Sequence, residues 1–335
     1  MIGLVSAERG IGEFTVVDAL PEVVVVLFAA VTHLADPWFL FGLLAIGYWF
    51  ADGRFAAAPR RAGATAIAAV TCAYAATALG KAWFAVPRPP AALGPADVPT
   101  WLPGLLAAWY EAQVISDGFG FPSGHATGGA AAYLTLALVY DRVGTPRTRL
   151  LGAVIVALAV ASSRVVIEVH YLVDVLAGLV VGGGVVLGAL WLAGDPRVRR
   201  GRDETDSTMP NGGSDSRGVT TVLDPTPAFL LAAIVSTGAL VITVSGGHSG
   251  AVVEAGIGIA TGVGGVLGWR LVDGDEAGVP VRIAVPALAV TGGLWVGAYA
   301  LRGPLPVTLA ATTVAVAVVV ALPVLPERIE RLSGV

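Results

Sequence analysis

Three observations predict an all-α integral membrane protein: the composition, the length of the apolar runs, and their lack of alternation. Of 335 residues, 56% are hydrophobic and 13% charged, about half the charged share of an ordinary soluble domain. Apolar runs near the length that crosses ~30 Å of hydrocarbon recur along the chain, divided by short segments rich in Arg, Asp, Gly and Pro. Stretches such as Leu150 to Val160 and Leu179 to Leu192 are apolar on every side. A membrane barrel would alternate apolar and polar residues.

The first unit, residues 1–195, reads as a six-helix core with spans near 20–35, 38–51, 62–84, 122–140, 150–167 and 171–193. The first two are short and meet at Asp36-Pro37, a turn signal, so they form either short crossing helices or a shallow hairpin. Basic residues orient the rest. Arg54, Arg60 and Arg61 fall in one loop, Arg142, Arg147 and Arg149 in a second, and Arg197, Arg199, Arg200 and Arg202 follow the sixth span. Even numbers of spans separate these segments, so they share a side, which the positive-inside rule makes cytoplasmic. If the first two spans both cross, the amino terminus is cytoplasmic as well. Loops 85–121 and 168–170 then face outward.

Residues 196–226 are polar and rich in turn formers, as expected of a flexible cytoplasmic linker. Beyond it, spans near 227–245, 251–271, 283–301 and 305–325 make a second membrane unit of about four helices, residues 227–335, with a cytoplasmic carboxyl terminus. Its Gly258/Gly262 and Gly264/Gly268 pairs suggest close helix contacts, as do Gly178/Gly182 and Gly184/Gly188 in the core. The amino terminus carries Glu8, Glu13 and Asp18 where a secretory signal would be basic. Cys72 is the single cysteine, which excludes an internal disulfide and a thiolate metal cluster. A net charge of −4 exerts no general pull on nucleic acid.

Ionisable residues inside such a chain are sparse, and three groups of them stand out. Of the 20 Lys and Arg residues only Lys81 is lysine, at the outer end of the third span, with Arg88-Pro89 seven residues later. Pro122-Ser123-Gly124-His125 precedes the fourth span, where the free N–H groups of a helix start favour an anion. Ser163-Arg164, His170 and Asp174 sit where spans five and six meet. His170 and Asp174 share a helix face, so the carboxylate can hold the imidazole by its Nδ1–H and leave Nε2 free to attack. A satisfied polar pair at a helix end is the competing explanation, but it does not account for Arg164 at the end of an apolar run. By the charge argument all three groups lie at the outer ends of spans three to six, where three cations can surround a phosphoryl group.

Taken in order, these motifs resemble the signature of the type 2 phosphatidic acid phosphatase family, which is related to vanadium-dependent haloperoxidases. Lys81, Arg88-Pro89, Pro122-Ser123-Gly124-His125, Ser163-Arg164, His170 and Asp174 fill every fixed position, and the resemblance covers roughly residues 20–195. It implies a six-helix membrane core, a phosphohistidine intermediate and no cofactor or metal. On that basis His170 is the expected nucleophile, Asp174 its orienting group and His125 the general acid and base. Lys81, Arg88, Arg164, Ser123 and the Gly124 N–H are expected to bind phosphate. The expected substrate is an amphipathic lipid phosphate or polyprenyl pyrophosphate drawn from among the membrane lipids, with no nucleic-acid partner.

Phosphoryl transfer to a second lipid or sugar instead of water remains an alternative, as does a phosphatase fused to a unit that binds or moves lipid. Transport alone would place charges along a mid-membrane path. Trp101 and the stretch Leu102 to Tyr110 suggest either a surface helix at the headgroups or a loop anchored by aromatic residues. His33, Asp36, His248 and Glu254 read as interfacial polar residues.

Overall fold

A single bend at Asp36 sets the geometry of the amino-terminal part. The computed structural model describes residues 9–194, 223–247, 251–274, 276–300 and 304–325. Its helices are α1 (Glu13–Val17), α2 (Glu22–Val31), α3 (Pro37–Phe50), α4 (Pro59–Phe84), α5 (Gly104–Val114), α6 (Gly124–Val139), α7 (Pro146–Val166) and α8 (Leu172–Ala193). Then follow α9 (Thr226–Ser245), α10 (Val252–Val272), α11 (Val281–Ala300) and α12 (Leu305–Ala321). Among the described residues there is no strand, so the chain is all-α.

Among the described residues, α4, α7, α8, α9 and α10 are long and apolar enough to cross a membrane. The expected first and second spans are α2 with the 3-10 turn Thr32–Ala35, and α3; they meet at 50° and count together as one broken span or a re-entrant loop. Pro37 at the first helical position and extended Asp36 before it make the break. Arg9, ahead of α2, bonds Asp174 at the start of α8, while Trp49 at the far end of α3 donates to the Val319 carbonyl of α12. The condition for a cytoplasmic amino terminus, two separate crossings, is therefore not met: residue 9 shares an end with Asp36 and Asp174.

Helix α6 departs from expectation in another way. It has only 16 residues and is rich in Gly, Ala and Thr, because α4, α7 and α8 enclose it. A helix surrounded by protein needs neither the length nor the apolar surface of one facing lipid. Close approach depends on glycine: a Cβ at Gly178 would lie 2.7 Å from the Ser123 carbonyl oxygen, and one at Gly182 2.6 Å from that of Thr127. The Gly264 and Gly268 positions of α10 meet α12 carbonyls just as closely, whereas Gly184 and Gly188 have open space around them and make no such contact.

At the opposite end the basic loops come together as expected. Arg142 donates to the Gly53 carbonyl, joining the loop after α3 to the loop after α6. Arg60 and Arg61 belong to the first turn of α4 rather than to a loop, since Pro59 starts that helix early. Arg60 is buried and bonds the Ala51 carbonyl, its backbone N–H meets the Glu276 carboxylate at 2.6 Å, and Arg61 reaches the Leu223 carbonyl. Helix α9 packs along α4, and α10 along both α4 and α12. Most of the expected linker, with Arg197, Arg199, Arg200 and Arg202, lies outside the described residues.

A Gly182→Val substitution is expected to lower stability by ~1–3 kcal/mol through overpacking, and Gly188→Val to have little effect. Thermal unfolding in detergent measures both.

Candidate active site

Two helix ends with left-handed closing residues bring distant charges to one place. Helix α4 stops at Ala85, φ 49°, whose N–H bonds the Lys81 carbonyl; the chain then turns so that Arg88 points inward. After α7, Glu168 at φ 56° reverses the backbone and lets the N–H groups of Val169 and His170 both reach the Arg164 carbonyl, at 3.2 and 3.1 Å. A non-glycine residue in this region carries strain of ~1–3 kcal/mol. Here it fixes the position of His170.

Arg88 is buried and held from two sides. Its Nε donates to the Asp117 carbonyl at 2.7 Å, and Nη1 donates to the Val169 carbonyl at 3.1 Å while lying 2.9 Å from His170 Nε2. Guanidinium only donates, so Nε2 accepts, and the neutral ring carries its proton on Nδ1. That nitrogen faces Asp174 Oδ2 across 3.4 Å. His170 is 2% exposed, and its pKa lies well below the ordinary imidazole value, through burial first and then the charges of Arg88, Arg164 and Lys81. The ring is therefore an unprotonated base at neutral pH.

Asp174 receives its strongest contacts elsewhere. Arg9 grips it with Nε to Oδ1 at 2.6 Å and Nη2 to Oδ2 at 2.9 Å, and the Tyr171 N–H adds a bond at 3.1 Å. Arg9 also lies over the Tyr171 ring. Sequence reasoning passed over this residue, although it is the one basic residue before Arg54.

Ser123 is buried at the amino-terminal cap of α6, and its N–H bonds the Asp174 carbonyl at 3.0 Å, which ties the second motif to the third. Gly124 follows as the first residue of α6. His125 Nε2 lies 2.9 Å from Asp36 Oδ1, and Asp36 Oδ2 lies 2.5 Å from His33 Nδ1. Trp109 Nε1 donates to His33 Nε2 at 3.0 Å. Since indole only donates, His33 must offer its Nδ1–H to Asp36, which leaves Asp36 free to accept from His125. His33 and Asp36 are thus not interfacial polar residues; the bend after α2 carries them onto His125. Trp109 lies on α5, the helical one of the two forms expected for its segment.

Arg164 is buried, donates from Nη1 to Thr32 Oγ1 at 2.5 Å, and has no hydrogen-bond partner at Nε among the described residues. The Lys81 ammonium makes no hydrogen bond or ion pair with any described residue. Lys81, Arg88, Gly124, His125, Arg164 and His170 line one cavity of about 660 Å³. Ser123 and Asp174 stand behind it. A cavity with two incompletely paired cations and the free backbone of a helix start is built for an anion with several oxygens. Glu254, exposed in the first turn of α10, borders the same cavity. His248 lies outside the described residues.

Arg9→Met leaves the buried Asp174 carboxylate without its main counter-charge and is expected to cost ~3–5 kcal/mol of stability. Arg9→Met combined with Asp174→Asn should recover part of that loss, as read by thermal unfolding.

Residues 62–197 match the PAP2 superfamily model. No curated protein and no solved structure matches the chain.

Proposed function

Because residues 62–197 place the chain in the PAP2 superfamily of type 2 phosphatidic acid phosphatases and haloperoxidases, we propose that it hydrolyses a membrane lipid phosphate through a phosphohistidine on His170, without a metal ion. The domain is of the phosphatase type and acts on phosphate esters. The observation that carries the finer reading is the contact between Arg88 Nη1 and His170 Nε2 inside a cavity where the Lys81 ammonium and Arg164 Nε lack partners among the described residues. Substrate phosphate draws the guanidinium away from the nitrogen it covers and frees the nucleophile.

His170 Nε2 then attacks phosphorus in line with the ester oxygen, forming the N–P bond as the P–O bond breaks. The departing alkoxide takes a proton from His125, which enters this step as the imidazolium with its Nε2–H on Asp36 and leaves it neutral. With Nε2 of His125 committed to Asp36, Nδ1 is the nitrogen that transfers it. Lys81, Arg88, Arg164 and the Gly124 N–H hold the three nonbridging oxygens, over which charge is spread during transfer, while Ser123, behind the cavity, caps the helix that presents Gly124. Water next gives a proton to neutral His125 and attacks phosphorus; the N–P bond breaks, inorganic phosphate leaves, and His170 is restored. Asp174 supports the charge that develops on His170, and Arg9 holds Asp174. Asp36 plays the corresponding part for His125, steadied by His33 and Trp109.

Orientation follows from charge. With the Arg54 and Arg142 loops on the cytoplasmic side, the site opens to the outer face of a cell membrane and phosphate is released there.

Release of inorganic phosphate from a panel of lipid mono- and diphosphates in detergent, with no other acceptor present, tests the function. The native chain is expected to release it with or without a chelator, and His170→Ala to fall by at least ~10³-fold. No phosphate from any lipid unless an alcohol acceptor is added would instead favour phosphotransfer.

Because His170 is held neutral, the acid limb of kcat/KM should fall below pH ~6.5, once the substrate's own ionisation near pH ~6 is allowed for. An acid limb above pH 7 would contradict this. Asp36→Asn is expected to lower kcat ~10–100-fold on an alkyl phosphate, whose leaving group needs a proton, and far less on p-nitrophenyl phosphate, whose leaving group does not. Equal losses on both would assign Asp36 a purely structural role.

A further inference from the structure

The cavity that holds His170 does not end at the phosphate site. One face of α4 lines it from Lys81 through Thr77 and Tyr74 to Thr71, and Ile67 of the same face lines a second hollow of about 130 Å³. Trp38, Phe41 and Thr261 border both spaces, so the two lie end to end along a groove beside α4. From Lys81 to Ile67 it runs ~21 Å at ~1.5 Å per residue, past the middle of a ~30 Å hydrocarbon layer.

The chemistry of the walls changes along this length. The upper end carries Lys81, Arg88, Arg164 and both catalytic histidines, while the lower end is walled by residues such as Ile67, Leu288, Val316 and Val319. Much of the wall comes from outside the phosphatase-like core. Helix α10 contributes Glu254, Ile257, Gly258 and Thr261, a spacing that keeps one face toward the groove, and α11 and α12 close the lower part. Hydrogen bonds from Tyr48 to the Val320 carbonyl and from Trp49 to that of Val319 stitch α3 to α12 at the bottom. Ser236 of α9, fully buried on the groove, has no partner for its hydroxyl among the described residues.

We propose that this groove holds the apolar chain of the lipid whose phosphate lies at His170, so that the carboxyl-terminal helices act as the part of the enzyme that selects substrate by chain. The proposal rests on the phosphatase reading. An anion site adjoining an apolar hollow matches a molecule that has both ends, and headgroup capture fixes the chain's entry point. The bilayer then supplies the substrate, but the tail is read by protein.

Gly42 and Gly292 line the lower groove, and a Cβ at either meets no atom within 4 Å. Gly42→Leu and Gly292→Leu therefore meet no clash at Cβ and put apolar atoms into the space the chain needs; both replace a helical glycine with a better helix former. Phosphate release from hexadecyl phosphate and from butyl phosphate is measured in mixed detergent micelles for the native chain, each variant and Gly183→Leu. Gly183 also has open surroundings but lies on α8, away from the groove. The ratio of kcat/KM for the long over the short substrate is expected to fall at least tenfold in Gly42→Leu and Gly292→Leu, equivalent to ~1.4 kcal/mol or about two buried methylenes. In Gly183→Leu it should stay within twofold of native. A ratio unchanged in both groove variants, with both substrates still hydrolysed, overturns the groove while leaving the phosphatase standing. Failure of the native chain to hydrolyse either substrate overturns the phosphatase reading and the groove with it.

Discussion

Everything at the catalytic end depends on keeping Lys81, Arg88 and Arg164 together beside a neutral imidazole. Like charges held close together repel, and each loses water on burial. Fixed geometry offsets part of this. Arg88 is anchored by the carbonyls of Asp117 and Val169, and Arg164 by the Thr32 hydroxyl. The same field disfavours an imidazolium at His170. The same crowding of positive charge suits the cavity to a phosphate, whose oxygens carry the opposite charge.

Carboxylates complete the arrangement from behind rather than from within. Asp174 touches His170 but is gripped mainly by Arg9, so its charge is directed by a residue from the far start of the chain. Asp36 stands behind His125 with His33 and Trp109 behind it in turn. Each histidine thus has a carboxylate on one nitrogen and the cavity available to the other. This division fits a scheme in which one imidazole forms a bond to phosphorus and the other moves the proton.

Local spacing made the core of the site legible. Lys81 with Arg88, the Pro122 to His125 turn, and Arg164 with His170 and Asp174 each occupy a short stretch, and the alternation of apolar spans with basic loops puts all three at one end. Contacts spanning much of the chain were not legible. Arg9 reaches Asp174 across 165 residues, and nothing near residue 9 signals that partner. His33 and Asp36 look like polar residues at a membrane boundary until the bend at Pro37 turns them onto His125. Glycine spacing proved ambiguous for a related reason: Gly178 and Gly182 meet backbone, while Gly184 and Gly188, with the same spacing but on another face of α8, face open space. A spacing rule identifies the small face of a helix but not the neighbour that fills it.

The central claim is that His170 carries the phosphoryl group between substrate and water. Rapid mixing with a lipid phosphate labelled in its phosphoryl group, quenching under alkaline conditions that preserve phosphohistidine, and mapping the label by peptide analysis tests it directly. The account predicts label on His170 in the native protein, greater accumulation in His125→Ala when a p-nitrophenyl leaving group is used, and none in His170→Ala. Label retained in His170→Ala, or found on another residue of the native chain, would contradict it.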